Sequence, residues 1–294
     1  MAVLIHTVLP QEDGRTVREL LTGCFSVSSS LRRELFQREN AILLNGKTAF
    51  LSTRAHDGDV LTVDISDPPA VSPIVPVDYP LTVLWEDEHL LAVDKPAGIT
   101  VHGAALTEEI VTVAGAAAHY LGASSVHVVN RLDRGTSGVM LIAKNSYMHA
   151  RCMDLLHTEN LQREYRAVCE GIPSPAAGII DAPIGRADGS LLRRCITPDG
   201  QHAVTEYEVL EEHSGRALLR LLPHTGRTHQ LRVHVASIGH PLSGDWLYGT
   251  EDKLLIERPA LHSHILRFTH PLTGEKVEIA APLPKDMMQL IETP

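Results

Sequence analysis

Two runs near the start of the chain, TVRELLTGCF (16–25) and SSLRRELFQREN (29–40), space their apolar residues three and four apart. This spacing predicts two short helices, with the serines before Leu31 as candidate caps. AILLNGKTAF (41–50) and DGDVLTVDI (57–65) then read as short strands turning at Asn45-Gly46 and Asp57-Gly58-Asp59. Five prolines fall within the fifteen residues 66–80. Proline fixes its own φ and offers no N–H to a ladder, so this stretch predicts an extended linker. Beyond it, LTVLWEDEHLLAVDKP (81–96) predicts two strands about a Glu-Asp-Glu turn, and IVTVAGAAAHYL (110–121) an alanine-rich helix. VHVVN (126–130) and GVMLIAKN (138–145) read as buried strands flanking a polar loop. SYMHARCMDLLHTE (146–159) and RTHQLRVHVASIG (227–239) read as helices; REYRAVCEG (163–171), RALLRLLP (216–223) and LHSHILRFTHP (261–271) read as strands.

Strands outnumber what a regular βαβ alternation would produce, so the expected class is α+β. The expected organisation is a small α+β unit over residues 1–66, a proline-rich linker over 67–80, and a larger unit over 81–294. In that larger unit a mixed, largely antiparallel sheet core would carry peripheral helices.

Composition narrows the class without naming a reaction. Of 294 residues, 44% are hydrophobic and 21% charged, which is ordinary for a globular chain. Cys24, Cys152, Cys169 and Cys195 show no CxxC pairing, and the first residues carry no secretory leader, so reduced cysteines and a cytoplasmic location are expected. No apolar run approaches the roughly 20 residues a membrane helix needs. Aromatic content of 4% argues against a surface built on rows of stacking rings. A formal charge of -10 argues against indiscriminate nucleic-acid binding. Its distribution alters that picture: residues 213–244 contain Arg216, Arg220, Arg227 and Arg232 and no acid, while Arg186, Arg193 and Arg194 form a second cationic stretch. An acidic protein with a basic cleft can bind RNA selectively; arginines paired with acids on a solvated face are the plainer reading of the same charges.

Three segments are candidates for chemistry. In the first, NRLDRGTSG (130–138), Asp133 lies between Arg131 and Arg134 in a loop joining two apolar strands. Its carboxylate is either held by positive charge for a reaction or part of a salt-bridged turn. In the second, LLPHTGRTHQLRVHVASIGHPLSGD (221–245), a helix beginning near Thr228 with adjacent arginines is a natural anion site. His224, His229, His234, His240 and His262 invite a zinc reading, yet no HExxH, intervening acid or cysteine supports it. In the third, LQREYRAVCEG (161–171), Arg163, Tyr165 and Ala167 share a strand face, as ordinary core residues also do.

Together and in this order, the three segments resemble the RluA family of pseudouridine synthases. NRLDRGTSG is similar to that family's His-Arg-Leu-Asp-x-x-Thr-Ser-Gly, and Arg163-Glu-Tyr165-Arg-Ala167 to its Lys-x-Tyr-x-Ala. Residues 225–232, 239–241 and 244–249 match its Thr-Gly-Arg-Thr-His-Gln-Leu-Arg, Gly-His-Pro and Gly-Asp-x-x-Tyr-Gly, with further likeness at DKPAGITVH (94–102) and LHSHILRFTHPLTG (261–274). Two positions depart: Asn130 stands for the usual His and Arg163 for the usual Lys. The front unit looks like the small RNA-binding domain first named in a ribosomal protein.

The resemblance implies isomerisation of uridine to pseudouridine in structured RNA, with ribosomal RNA the first expectation and transfer RNA a second. It implies Asp133 as nucleophile, Tyr165 stacked on the uracil, and Arg232 as ion-pair partner of Asp133. Arg131 would fill the place of the flipped nucleotide, Leu231 would pack on the base, and Arg227 and Thr136 would contact the substrate. No cofactor or metal is implied, and a monomer is expected. Two other readings compete. One is a non-catalytic RNA-binding or ribosome-assembly protein. The other is a glycoside hydrolase, which wants a second carboxylate within about 5–10 Å; Asp245 is the nearby acid in sequence.

Overall fold

Thr16 and Glu19 cap each other reciprocally, and this local bond starts the first helix: the Thr16 backbone N–H donates to the Glu19 carboxylate at 2.7 Å and the Glu19 N–H to Thr16 Oγ1 at 3.3 Å. The computed structural model describes residues 2–70, 74–103, 111–156 and 158–292. Residues 71–73 of the proline-rich stretch, Ile110 and His157 of two predicted helices, and the last two residues of the larger unit fall outside the described residues. The front unit consists of β1 (Val3–Thr7), a 3-10 turn (Pro10–Glu12), α1 (Val17–Gly23), α2 (Ser29–Gln37), β2 (Ile42–Leu44), β3 (Lys47–Thr48) and β4 (Val60–Asp64). Of the candidate serines it is Ser28 that caps α2, accepting from the Leu31 N–H. Asn45 and Gly46 both have positive φ, as the tight β2–β3 hairpin requires. The strands form an antiparallel sheet in the order β1-β4-β2-β3. Its core includes Leu20, Leu21, Leu35, Leu61 and Val63, and also Tyr147 from the larger unit, whose hydroxyl donates to the Phe25 carbonyl at 2.6 Å.

On either side of residues 71–73 the proline-rich stretch is tied to the larger unit. The Asp67 carboxylate accepts from the Ser146 N–H at 2.8 Å and contacts His127 Nε2 at 2.6 Å, while the Ile74 and Val77 N–H groups donate to the carbonyls of Ser124 and Gly115.

The larger unit continues with β5 (Thr82–Glu86), β6 (Leu90–Lys95), α3 (Val113–Leu121), β7 (His127–Val128), β8 (Ser137–Ala143), α4 (Ser146–Leu155) and β9 (Leu161–Glu170). There follow β10 (Ala177–Asp181), β11 (Ile184–Arg186), β12 (Arg194–Ile196), β13 (Val204–His213), β14 (Arg216–Pro223), α5 (Gln230–Ser237), β15 (Leu261–Thr269), β16 (Lys276–Ala280) and α6 (Lys285–Glu292). The main sheet runs β10-β13-β14-β9-β15-β8-β6-β5, with β16 beside β15 and β7 beside β8. Every pairing in it is antiparallel except β15–β8, which is parallel at His262↔Ser137 and Ser263↔Gly138. The class is therefore α+β with a mixed, largely antiparallel core. The parallel seam joins the two halves of the sheet and lies next to the Asp133 loop. Gly138 has φ +108, and a Cβ there would run into the Ser263 carbonyl, so this closest approach of β8 to β15 requires glycine.

His262 sits on the seam, with Nδ1 2.9 Å from the Ser137 hydroxyl and Nε2 3.3 Å from the Ala281 carbonyl. Burial pushes its imidazole down from the ordinary 6.5 to about 4. Between those values the unfolded chain binds the proton and the folded one does not. Stability therefore rises with pH across that window and falls by up to about 3 kcal/mol as pH drops through it. The urea midpoint is expected to fall more for wild type than for His262→Gln between neutral pH and about pH 4.5; equal falls would remove His262 as the cause.

Candidate active site

The loop from β7 to β8 carries Asp133, and three groups hold it. Asn130 is buried: its side-chain carbonyl accepts from the Leu141 N–H at 2.7 Å and its amide donates to the Val139 carbonyl at 3.2 Å. It thus pins the loop's start to β8 rather than facing outward. The Thr136 N–H donates to the Asp133 carbonyl at 3.1 Å, which closes the turn. Lys95, fully buried at the end of β6, donates to the carbonyls of Pro96 (2.9 Å), Arg134 (3.1 Å) and Thr136 (2.8 Å). Burial pushes its ammonium down to about 8. Lys95→Met keeps the stem and withdraws three donors from carbonyls around the loop. Urea unfolding is expected to register a loss of about 2–4 kcal/mol, with slower turnover as the loop loosens. An unchanged midpoint would show that water replaces the ammonium without cost.

The opposite wall is the turn between β14 and α5. The helix starts at Gln230 rather than near Thr228, because His229 takes a left-handed conformation (φ 58) that interrupts it. Gln230 is the spacer that shapes this turn. Its carbonyl oxygen accepts from the Thr225 hydroxyl and the Arg227 N–H, and its amide donates to the Val204 carbonyl and Thr205 Oγ1. His229 Nδ1 lies 2.9 Å from the Tyr248 hydroxyl, which itself accepts from the Arg194 N–H at 2.9 Å. His229 Nε2 lies 3.8 Å from Asp133 Oδ2. Burial lowers the His229 pKa and outweighs the pull of Asp133, so the ring is neutral near pH 7.

Arg232 lies within ion-pair distance of Asp133 but makes its short bonds to a second carboxylate. Its Nε and Nη2 donate to the two carboxylate oxygens of Asp245, each at 2.7 Å, while Nη1 lies 3.7 Å from Asp133 Oδ2. Burial opposes the charge on Arg232, but this bidentate bond outweighs it and raises the pKa. The reason is burial on the other side too: the Asp245 side chain has no exposure, whereas that of Asp133 is 33% exposed. The carboxylate without access to water takes the short bonds, including the Leu247 N–H at 3.0 Å. The Tyr248 ring lies against the same guanidinium, 5.1 Å from its carbon.

Between the two walls is a cavity of about 480 Å³. All seven residues expected at the site line it: Asp133, Tyr165, Arg232, Arg131, Leu231, Arg227 and Thr136. Tyr165 enters from β9, paired across to Ser263 and Leu221, and burial pushes its phenol above the ordinary value. Leu231 is buried, whereas Arg131 and Arg227 are exposed at the rim, Arg227 donating to the His202 carbonyl at 3.0 Å. Arg163 faces the carbonyls of Pro223 and Thr225, tying β9 to the turn. Among the described residues lining the cavity, Asp133 is the single acid, against four arginines. Asp245 lies behind Arg232, off the cavity, so the paired carboxylates of a glycoside hydrolase are not available. The candidate zinc histidines disperse: His234 bonds Thr205 and Ala182, His240 the Glu170 carbonyl, and His262 the parallel seam.

A family model for RNA pseudouridylate synthase matches residues 89–237, from β6 through α5. The chain belongs to this family. It is 38% identical over 295 residues to the RNA pseudouridine synthase YlyB of Bacillus subtilis, covering 97% of this chain and 96% of the relative. It is 33% identical to the ribosomal large subunit pseudouridine synthase D of Vibrio cholerae, over 98% and 93% of the two chains. The structure of human RNA Pseudouridylate Synthase Domain Containing 4 superposes with a TM-score of 0.57 at 27% identity, over 71% of this chain and 91% of the human one. The protein is thus an RNA pseudouridine synthase, an isomerase acting on RNA. Among the described residues no helix is long and apolar enough to cross a membrane.

The residues that sequence reasoning did not single out are Lys95, Gln230 and Tyr248. Each lay inside a quoted motif, but none carries a local sign of its partner.

Proposed function

We propose that this synthase acts on large-subunit ribosomal RNA, with Asp133 as the nucleophile in the cavity between the Asp133 loop and α5. The observation that carries the reading is the carboxylate of Asp133, the single acid among the described residues lining the cavity, facing four arginines and the buried Tyr165 ring. In this reading Asp133 attacks the anomeric carbon of a flipped uridine; the bond to uracil nitrogen 1 breaks, and its electron pair leaves with the base. The uracil turns between Tyr165 and Leu231 and rejoins through carbon 5, and the carbon 5 proton departs as the ester to Asp133 is broken. The raised pKa of Tyr165 favours a stacking ring over a phenolate base. Arg131 stands at the rim where a flipped nucleotide leaves its gap, and Arg227 and Thr136 contact the substrate. The front unit adds RNA affinity, for which an exposed Phe36–Phe50 ring pair is suited. The protein works as a cytoplasmic monomer.

The ribosomal assignment draws on the names of relatives such as the Vibrio cholerae large-subunit synthase. Its test is tritium release from RNA labelled at carbon 5 of uridine, prepared from a strain lacking the enzyme and separated into ribosomal and transfer fractions. Release from the large-subunit fraction is expected. Release confined to transfer RNA would overturn the substrate, and release from neither would overturn the reading of the site.

A further inference from the structure

A second cluster of reactive side chains lies in the front unit, away from the cavity. His6 on β1, Glu12 at the end of the 3-10 turn and Cys24 just past α1 bring one ligand atom each within 4.8 Å of one another. His6 Nε2 is 2.7 Å from Glu12 Oε2, Cys24 Sγ is 3.2 Å from Glu12 Oε1, and Cys24 Sγ is 3.5 Å from His6 Nε2. We propose that these three residues form a binding site for a borderline-soft divalent cation, zinc fitting best, with one coordination position left for water.

The donor set is an imidazole nitrogen, a thiolate sulfur and a carboxylate oxygen, the three ligand types that zinc combines. Bond lengths of about 2.0–2.3 Å at tetrahedral angles place such atoms about 3.4–3.6 Å apart. The Cys24–His6 edge already has that length; His6 and Cys24 lie against different oxygens of Glu12, Oε2 at 2.7 Å and Oε1 at 3.2 Å, so coordination needs the carboxylate to turn and its edges to open by roughly half an ångström. Charge is consistent as well: one thiolate and one carboxylate neutralise a divalent ion, and Glu12 is buried, where an uncompensated charge is costly. The ligands are also oriented. The Leu9 N–H donates to Glu12 Oε2 at 3.0 Å, and the His6 ring packs edge-on against Phe25 at 6.0 Å. His6 and Cys24 are only partly buried, which leaves an entry path. The three come from different elements, so the ion would tie β1, the 3-10 turn and the end of α1 together. This site is separate from the isomerase cavity and the reaction does not need it.

The experiment uses the full-length protein, without a histidine tag, titrated with cobalt and then zinc. One equivalent of cobalt is expected to give a saturable thiolate-to-cobalt absorption that zinc displaces. Cys24→Ser and His6→Gln are expected to lose it and Cys195→Ser to keep it. Zinc is also expected to raise the Tm of wild type and not that of the two variants. Alkylation of wild type gives a reading by peptide mass spectrometry that does not depend on the folding of Cys24→Ser. Zinc should slow modification of Cys24 and leave Cys195 unchanged. Absence of saturable binding, binding that survives both variants, or Cys24 alkylation indifferent to zinc each overturns the site.

Discussion

Asp133→Asn is expected to abolish tritium release while the protein stays folded and bound to RNA. The Asp133 side chain is a third exposed, and its neighbours His229 and Arg232 stand off at 3.8 Å and 3.7 Å. Among the described residues no short hydrogen bond to its carboxylate is lost when an amide takes its place, so stability should change by less than about 1 kcal/mol. The rate responds quite differently, because an amide of the same shape cannot form the ester to the ribose. Losing a nucleophile removes at least about four powers of ten in turnover, or about 5 kcal/mol in the barrier. Single-turnover tritium release, the urea midpoint and RNA binding by filter retention together check this. A variant within about tenfold of wild type would reassign the nucleophile, and among the described residues lining the cavity no other carboxylate is available to inherit the role.

Much of this site was legible in the chain because its parts are local. Asp133 stands in a polar loop between two apolar strands, Tyr165 on an alternating strand, and Arg232 on a helix, and each of these contexts survives in three dimensions. What was hidden depends on folding over long distances. Lys95 reads as a surface lysine, and its role exists only because its ammonium meets carbonyls 39 and 41 residues away. His229 leaves the helix because Tyr248, 19 residues on, takes its Nδ1. In the fold, β13 was missed although Thr205 and Tyr207 point inward, since glutamates fill its outer face and a register shift at Val209 ends the alternation. The short β11–β12 hairpin was read only as charge, and yet it brings the Arg194 N–H to Tyr248. Register and crossing geometry decide such contacts, and periodicity along the chain carries neither.

The pairing of Arg232 with Asp245 makes the second strong prediction, and it separates the support of the site from its chemistry. Asp245→Asn leaves a guanidinium that is only 7% exposed without its bidentate partner, and the nearest remaining carboxylate is Asp133. Breaking a buried pair from one side costs about 3–5 kcal/mol, chiefly because the surviving charge stays desolvated. The urea midpoint should fall accordingly. Arg232 should then turn toward Asp133 and tie up the carboxylate that must reach the ribose, lowering kcat more than it raises KM. Removing both charges together distinguishes these effects. In Asp245→Leu with Arg232→Met, most of the lost stability should return, since a buried ion pair is often replaceable by apolar packing. Turnover should not return, because no cation remains beside Asp133. If Asp245→Asn keeps wild-type stability, Arg232 is not held as a buried ion pair. If the double variant recovers turnover with stability, Arg232 serves only the fold and Asp133 needs no cation beside it.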